Sequence, residues 1–205
     1  MDKKGLLIVI SGFSGVGKGT VVKRLVSDYG YSLSISATTR APREGEVDGR
    51  EYYFKSKEEF KNLIDYNGFI EWAVYVENYY GTPRAFVEKE LAAGHNVILE
   101  IEVQGAMNIK EQYPDAVLIF LTAPNAEELK QRLIGRGTEE ASVVEKRMKR
   151  AMEESEDMNQ YEYIVINDDL DQCVKDVNSV IVAKGCMIEN NIEYVNQMKA
   201  ELKAL

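Results

Sequence analysis

The strongest constraint on this chain is a short run near its start, Gly12-Phe13-Ser14-Gly15-Val16-Gly17-Lys18-Gly19-Thr20. It lies between the apolar stretch Leu6–Ser11 (LLIVIS) and the amphipathic stretch Lys18–Tyr29. The apolar stretch reads as a strand buried on both faces. In the second stretch Val21, Val22, Leu25, Val26 and Tyr29 recur at helical spacing. Glycines between a strand and a helix let consecutive backbone N–H groups turn inward around phosphate oxygens, and the helix N-terminus adds partial positive charge there. Lys18 is the mobile cation for the outer phosphates. Loops of this kind carry Ser or Thr directly after the lysine; here Gly19 takes that place and Thr20 follows. A magnesium ion is therefore expected to be held mainly by nucleotide and water rather than by a dedicated protein site.

The rest of the chain keeps an α/β rhythm. Buried strands are expected at 32–36, 97–101, 117–121 and 163–167. Helices are expected at about 57–66, 83–93, 104–112, 125–134, 142–160, 170–183 and 187–203. Ser56/Glu59, Asn125/Glu128 and Ser142/Glu145 each have the spacing of a capping box or its Asn variant. Thr82-Pro83 has the form of an N-cap with proline at the first helical position. Residues 31–76 break the rhythm with many tyrosines and read as an insertion with its own small sheet. The polar stretch 135–142 (GRGTEEAS) separates two helices and reads as a lid loop.

Composition removes several function classes. With 205 residues, 45% hydrophobic and 29% charged, the chain can bury a core without disulfides or metal staples. A net charge of −9 argues against broad nucleic-acid binding, which needs a basic face. Two cysteines and one histidine cannot form a zinc site. The apolar run Leu6–Ile10 is too short for a secretion signal or a membrane span. The expectation is a cytoplasmic protein with no membrane and no obligatory protein partner. His95 reads as a helix-end residue and Cys173 as structural. Lys146, Lys149 and Arg150 read as a solvated face.

A second constellation follows the phosphate loop, Ser34–Phe54 (SISATTRAPREGEVDGREYYF). Arg40 and Arg43 flank Pro42, and each guanidinium offers a planar fork that matches phosphate. Two such forks beside a phosphate loop imply a second anionic ligand. With FIEW (69–72), NYYGT (78–82), LEIEVQGA (99–106), RLIGRGTE (132–139) and VINDDL (165–170), the chain resembles the guanylate kinases over roughly residues 5–184.

That resemblance implies a three-layer α/β fold of the P-loop NTPase type, with a parallel central sheet, a small GMP-binding insertion and a mobile lid. It divides one domain into a core of about 1–34, 82–134 and 160–184, a GMP-binding region of about 35–81, a lid of about 135–159 and a helical tail of about 186–205. It implies phosphorylation of GMP by ATP with Mg2+, a step of purine nucleotide metabolism. ATP would lie on Gly12, Phe13, Ser14, Gly15, Val16, Gly17, Lys18, Gly19 and Thr20, with Asn167 and Asp168 near the adenine. The acceptor phosphate would meet Arg40, Arg43, Tyr52 and Tyr80. Glu71 would read guanine, with Ser36 and Thr82 against the base and Glu100 and Glu102 nearby. Glu100 is the protein carboxylate nearest the expected metal, and Glu102 stands where Asp is common in the family. Lys18, Arg132, Arg136 and Arg147 would serve the transferring phosphoryl group. Tyr53 and Tyr79 read as packing residues. Two rivals remain: a kinase for another nucleoside monophosphate, and a non-catalytic interaction domain of the same fold.

Overall fold

The computed structural model describes residues 4–75, 77–135 and 141–205. Its centre is strand β1 (Leu7–Gly12), buried along its whole length. β1 pairs in parallel with β7 (Val97–Glu100) on one side and β8 (Val117–Thr122) on the other, in the registers Leu7–Val97 and Ile8–Val117. β2 (Ser32–Leu33) and β9 (Tyr163–Ile166) complete a parallel sheet of order β2-β7-β1-β8-β9.

Side-chain alternation along these strands builds three layers. Leu6, Ile8 and Ile10 face one core with Val117, Ile119 and Leu121; α1 (Lys18–Tyr29) supplies Val21, Val22 and Leu25, and α7 (Leu170–Gly185) supplies Cys173, Val174, Val177 and Ile181. Leu7 and Val9 face a second core with Leu99 and Leu118, covered by Val87 and Leu91 of α3 (Arg84–Ala92) and Ala106 and Ile109 of α4 (Val103–Gln112). The apolar run at the chain start is continuous because both of its faces are covered.

The tyrosine-rich insertion folds into a separate mixed sheet, β4-β3-β6-β5, from β3 (Ala37–Thr38), β4 (Tyr53–Phe54), β5 (Phe69–Tyr75) and β6 (Asn78–Pro83). Its small core is Ala37, Phe60 and Phe69, with Phe60 of α2 (Lys57–Asp65) stacked on Phe69 and Tyr79 tilted against Phe60. At the start of α2, Ser56 and Glu59 form a complete capping box. Asn125 caps α5 (Ala126–Ile134) by accepting from the Glu128 amide, and Asp169 caps α7 through Gln172.

Several expected boundaries differ. Thr82 does not cap α3: Thr82 and Pro83 end strand β6, and Pro83 itself stands in extended conformation ahead of Arg84. The Thr82 hydroxyl is spent on another partner, described below. Ser142 lies inside α6 (Ala141–Ser155) rather than ahead of it, and α6 stops at Ser155 before a separate 3-10 turn, Met158–Gln160. The strand expected at 32–36 pairs only over Ser32–Leu33, because the chain then leaves for the second sheet at Ala37. The tail splits into a 3-10 turn, Ile188–Asn191, and α8 (Ile192–Ala204).

Phe120 is fully buried in β8, edge-on to both Phe13 and Tyr161, at 4.9 and 5.1 Å between ring centres. Phe120→Ala is expected to lower the unfolding free energy by about 3–5 kcal/mol, measured by urea denaturation.

Candidate active site

The phosphate loop leaves β1 at its C-terminal end, where an open α/β sheet places its ligands. Gly17 holds a left-handed conformation (φ 98°) at the N-cap of α1, and a Cβ there would lie 2.7 Å from Asn167 Nδ2. Phe13 and Val16 turn their side chains into the core, leaving their backbone to the loop. Lys18 Nζ donates to the carbonyls of Gly12 at 2.6 Å and Phe13 at 3.2 Å. Thr20 is exposed on the first turn of α1.

Asn167 is buried beside this loop, not on its open side. Its Nδ2 donates to the Val16 carbonyl at 2.8 Å, and its own carbonyl accepts from Arg132 Nη1 at 2.8 Å. The side chain therefore braces the loop from β9. Arg132 is held here and by Glu128 (2.9 Å) and does not line the cleft described below. Asp168 follows on the exposed surface.

A cleft of about 650 Å³ runs from the loop to the second sheet. Ser14 of the loop and Arg147 of α6 line it, together with Ser36, Arg40, Arg43, Tyr52, Glu71, Tyr80, Glu100 and Glu102. Arg147 Nη1 of α6 donates to Ser14 Oγ at 3.2 Å, which joins that helix to the loop. Lys146 and Arg150 also line the cleft, so the face read as merely solvated borders the site. Lys149 stays exposed. Arg136 lies outside the described residues.

The paired arginines are pre-arranged by a residue that sequence reasoning passed over. Glu46 Oε1 accepts from Arg40 Nη2 at 2.9 Å, while its Oε2 accepts from the Arg43 amide at 2.7 Å. The Arg40 guanidinium holds this carboxyl below the usual carboxylate range. Arg40 also lies over the Tyr52 ring, 5.3 Å from its centre, and donates to the Ala41 carbonyl. The signal for Glu46 was its place inside the REGEVDG run, but nothing local showed that it spans both arginines. Burial pushes the Tyr52 hydroxyl up to about 12. It stays a neutral hydrogen-bond donor at ordinary pH, and the ring meets Tyr80 edge-on.

Glu71 sits on β5 opposite Thr82 of β6. Its side chain is buried, and Oε1 accepts from the Thr82 hydroxyl at 2.6 Å. On its other side a Cβ at Gly105 of α4 would lie 2.8 Å from Oε2, so only glycine leaves the carboxylate its place. Burial raises its pKa to about 7, against the opposing pull of the Thr82 hydrogen bonds. Glu100 ends β7 and faces the helix start: a Cβ at Gly19 would lie 3.6 Å from both of its oxygens. Burial raises the Glu100 pKa, while Lys18 lowers it. Glu102 is the N-cap of α4. Glu154 of α6, also passed over from sequence, is buried with Arg150 Nε 3.0 Å away.

Among the described residues no group of three or more Asp, Glu, His or Cys side chains could hold a metal ion by itself. A magnesium ion carried on nucleotide phosphates needs only one or two carboxylates, and Glu100 beside Gly19 fits that demand.

The Glu71 shift has a sign for stability. Between the ordinary value of 4.5 and about 7, the folded state keeps a proton that the unfolded chain has released. Stability therefore falls as pH rises through this window. Glu71→Gln is expected to leave stability unchanged near pH 4.5 and to raise it by about 2–3 kcal/mol at pH 8, read from urea unfolding at the two values.

The model of the family described as guanylate kinase matches residues 4–184. A guanylate kinase from Lactiplantibacillus plantarum is 52% identical over 206 residues, covering 100% of both chains. One from Caldanaerobacter subterraneus is 48% identical over 202 residues, 98% of each chain. The crystal structure of guanylate kinase from Anaplasma phagocytophilum superposes with a TM-score of 0.77 at 30% identity, covering 91% of this chain and 89% of that one. No helix among the described residues is long and apolar enough to cross a membrane. Phosphate loop, second sheet and full-length relatives agree: the chain belongs to the guanylate kinase family.

Proposed function

We propose that the cleft transfers the terminal phosphoryl group of ATP to GMP, with dGMP as a second acceptor, giving ADP and the nucleoside diphosphate. The observation that carries this reading is one cleft lined both by Ser14 of the phosphate loop and by a buried, hydrogen-bonded Glu71.

Guanine recognition follows from the chemistry of Glu71. Guanine offers N1–H and the N2 amino group as adjacent donors, and one carboxylate accepts both. Adenine offers a lone pair at N1, which would face the carboxylate unpaired. A buried group left unpaired costs far more than an exposed one, so the wrong base is rejected strongly. Thr82 holds Oε1 and Gly105 gives Oε2 its space, so the carboxylate is oriented before the base arrives. The base would meet Ser36 and the Thr82 hydroxyl on the same side.

The acceptor phosphate sits among Arg40, Arg43, Tyr52 and Tyr80. Glu46 anchors the Arg40 guanidinium through one oxygen and the Arg43 backbone amide through the other, which leaves the whole Arg43 fork for the ligand. The donor phosphates lie on the backbone from Gly12 to Thr20. Lys18 exchanges its contacts with the Gly12 and Phe13 carbonyls for phosphate oxygens. Asn167 serves ATP by bracing the loop through Val16, and Asp168 stands on the adenine side. An oxygen of the acceptor phosphate attacks the terminal phosphorus in line, and the bond to the ADP oxygen breaks as the new bond forms. The acceptor is already an anion, so no strong general base is needed. Positive charge at the equatorial oxygens is the main requirement. Lys18 and Arg147 supply it, with Arg136 as a further lid arginine; Arg132, held by Glu128 and the Asn167 carbonyl outside the cleft, would have to leave those partners to join them. Mg2+ held by the nucleotide, water and Glu100, with Glu102 nearby, supplies further charge neutralisation at the phosphates.

A coupled ADP-release assay with ATP, Mg2+ and each of GMP, dGMP, AMP, UMP and dTMP tests the reading. Turnover with GMP and dGMP alone is expected. Turnover with another monophosphate would overturn the guanine assignment, and nucleotide binding without any turnover would support an interaction domain instead. Glu71→Gln is expected to raise the KM for GMP by about 100-fold while the KM for ATP stays within about twofold. Lys18→Ala is expected to lower kcat by about 100-fold or more.

A further inference from the structure

Strand β5 opens with an extra residue. Phe69 stands opposite Pro83 and Glu71 opposite Thr82, so two steps along β5 match one step along β6, and Ile70 forms a bulge. In an unbroken strand Phe69 and Glu71, two apart, would share a face. The face that Phe69 takes is closed: its ring stacks on Phe60, and a Cβ at Gly81 would lie 3.0 Å from both rings. A carboxylate there would enter the small apolar core. The bulge puts Glu71 on the other face, where it accepts from the Thr82 hydroxyl at 2.6 Å. Ile70 itself is buried in the core shared with α3 and α4.

A bulge on an edge strand needs a hold besides its ladder, and β5 pairs with β6 alone. Arg84, the first residue of α3, supplies it. Its amide donates to the Gly68 carbonyl at 2.9 Å. Its Nε donates to the Asn67 carbonyl at 2.9 Å, and Nη2 to Asn67 Oδ1 at 3.1 Å and to the Phe69 carbonyl at 2.8 Å. Nη1 donates to Glu88 Oε1 at 3.2 Å and to the Tyr113 hydroxyl at 3.4 Å. All five N–H groups of the guanidinium thus have an acceptor. Asn67 stands at φ 54°, a left-handed conformation uncommon outside glycine, and Arg84 grips both its carbonyl and its side chain.

We infer that Arg84 is a positioning residue for Glu71: its guanidinium locks the turn and the bulge that place the carboxylate on the cleft face. Arg84 does not line the cleft, so it acts through β5 rather than on a nucleotide. Lysine cannot replace it, because an ammonium donates from one point while Asn67 and Phe69 are held by a planar fork. The effect of Arg84 on acceptor choice rests on the reading of Glu71 as the group that meets guanine; its effect on where the carboxylate sits does not.

Arg84→Lys and Arg84→Met are compared with the parent and with Glu71→Gln. Inosine monophosphate keeps the N1–H of guanine and lacks the 2-amino group, so the ratio of kcat/KM for GMP to that for inosine monophosphate reads the second hydrogen bond to Glu71. Both Arg84 variants are expected to lower this ratio by about tenfold, through the KM for GMP, with the KM for ATP within about twofold of the parent. A nuclear Overhauser contact between the Thr82 methyl and the Glu71 side chain reads the place of the carboxylate directly. It is expected in the parent and lost in both variants. A contact that persists unchanged in both variants overturns the inference. So does an Arg84→Lys variant that keeps the parent's ratio while Glu71→Gln lowers it, and so does an equal loss with both acceptors and ATP, the mark of a merely loosened fold. If the contact is lost while Glu71→Gln leaves the ratio unchanged, the positioning role stands and the guanine reading falls.

Discussion

Burial of β1 on both faces and both edges is the constraint from which the rest follows. A strand with β7 and β8 on either side and helices above and below can carry no polar side chain along its middle, and Leu7–Ile10 carries none. Its exit must then be a turn with inward amides and no bulky side chains, because β8 packs against Gly12 and α1 must start at once. The phosphate loop is the form that such an exit takes. Asn167 completes it from the far edge of the sheet, using its amide for the Val16 carbonyl.

The second sheet solves a different problem. It holds the Glu71 carboxyl in a dry place, where ionisation comes at a cost to stability. Three neighbours make the position tolerable: the Thr82 hydroxyl, the open space at Gly105, and the β5–β6 pairing that fixes where the carboxylate points. Arg40 and Arg43 are treated in the opposite way. The Arg40 guanidinium is held by Glu46 and lies over the Tyr52 ring, while Arg43 is fixed by Glu46 only through its backbone amide.

Features written locally were legible in the sequence. The phosphate loop, the Ser56 box, the Asn125 cap and the alternation of buried strands with amphipathic helices all rest on residues within a few positions of each other. What failed was long-range. Thr82 looked like a helix cap because Thr-Pro is a good local start, yet its hydroxyl belongs to Glu71, eleven residues earlier. Asn167, expected near the adenine because it ends a strand beside the site, also braces the loop through its amide, a contact with Val16 that no local pattern announced. Glu46 was hidden because its two partners differ in kind, one a guanidinium and one a backbone amide. The exposure of α8 could not be read either, since periodicity reports an apolar face and not what covers it.

The order of strands in the parallel sheet has a consequence for synthesis on the ribosome. β1 emerges first, but its neighbour β7 begins at Val97, and β8 comes later still. At ordinary elongation rates this fully buried strand waits about 5–20 s for an edge to pair with. During that time LLIVI is an unpaired, uncharged β-forming segment, the kind that aggregates or recruits a chaperone. The lysines at positions 3 and 4, directly ahead of it, are placed as gatekeepers of that segment while it waits.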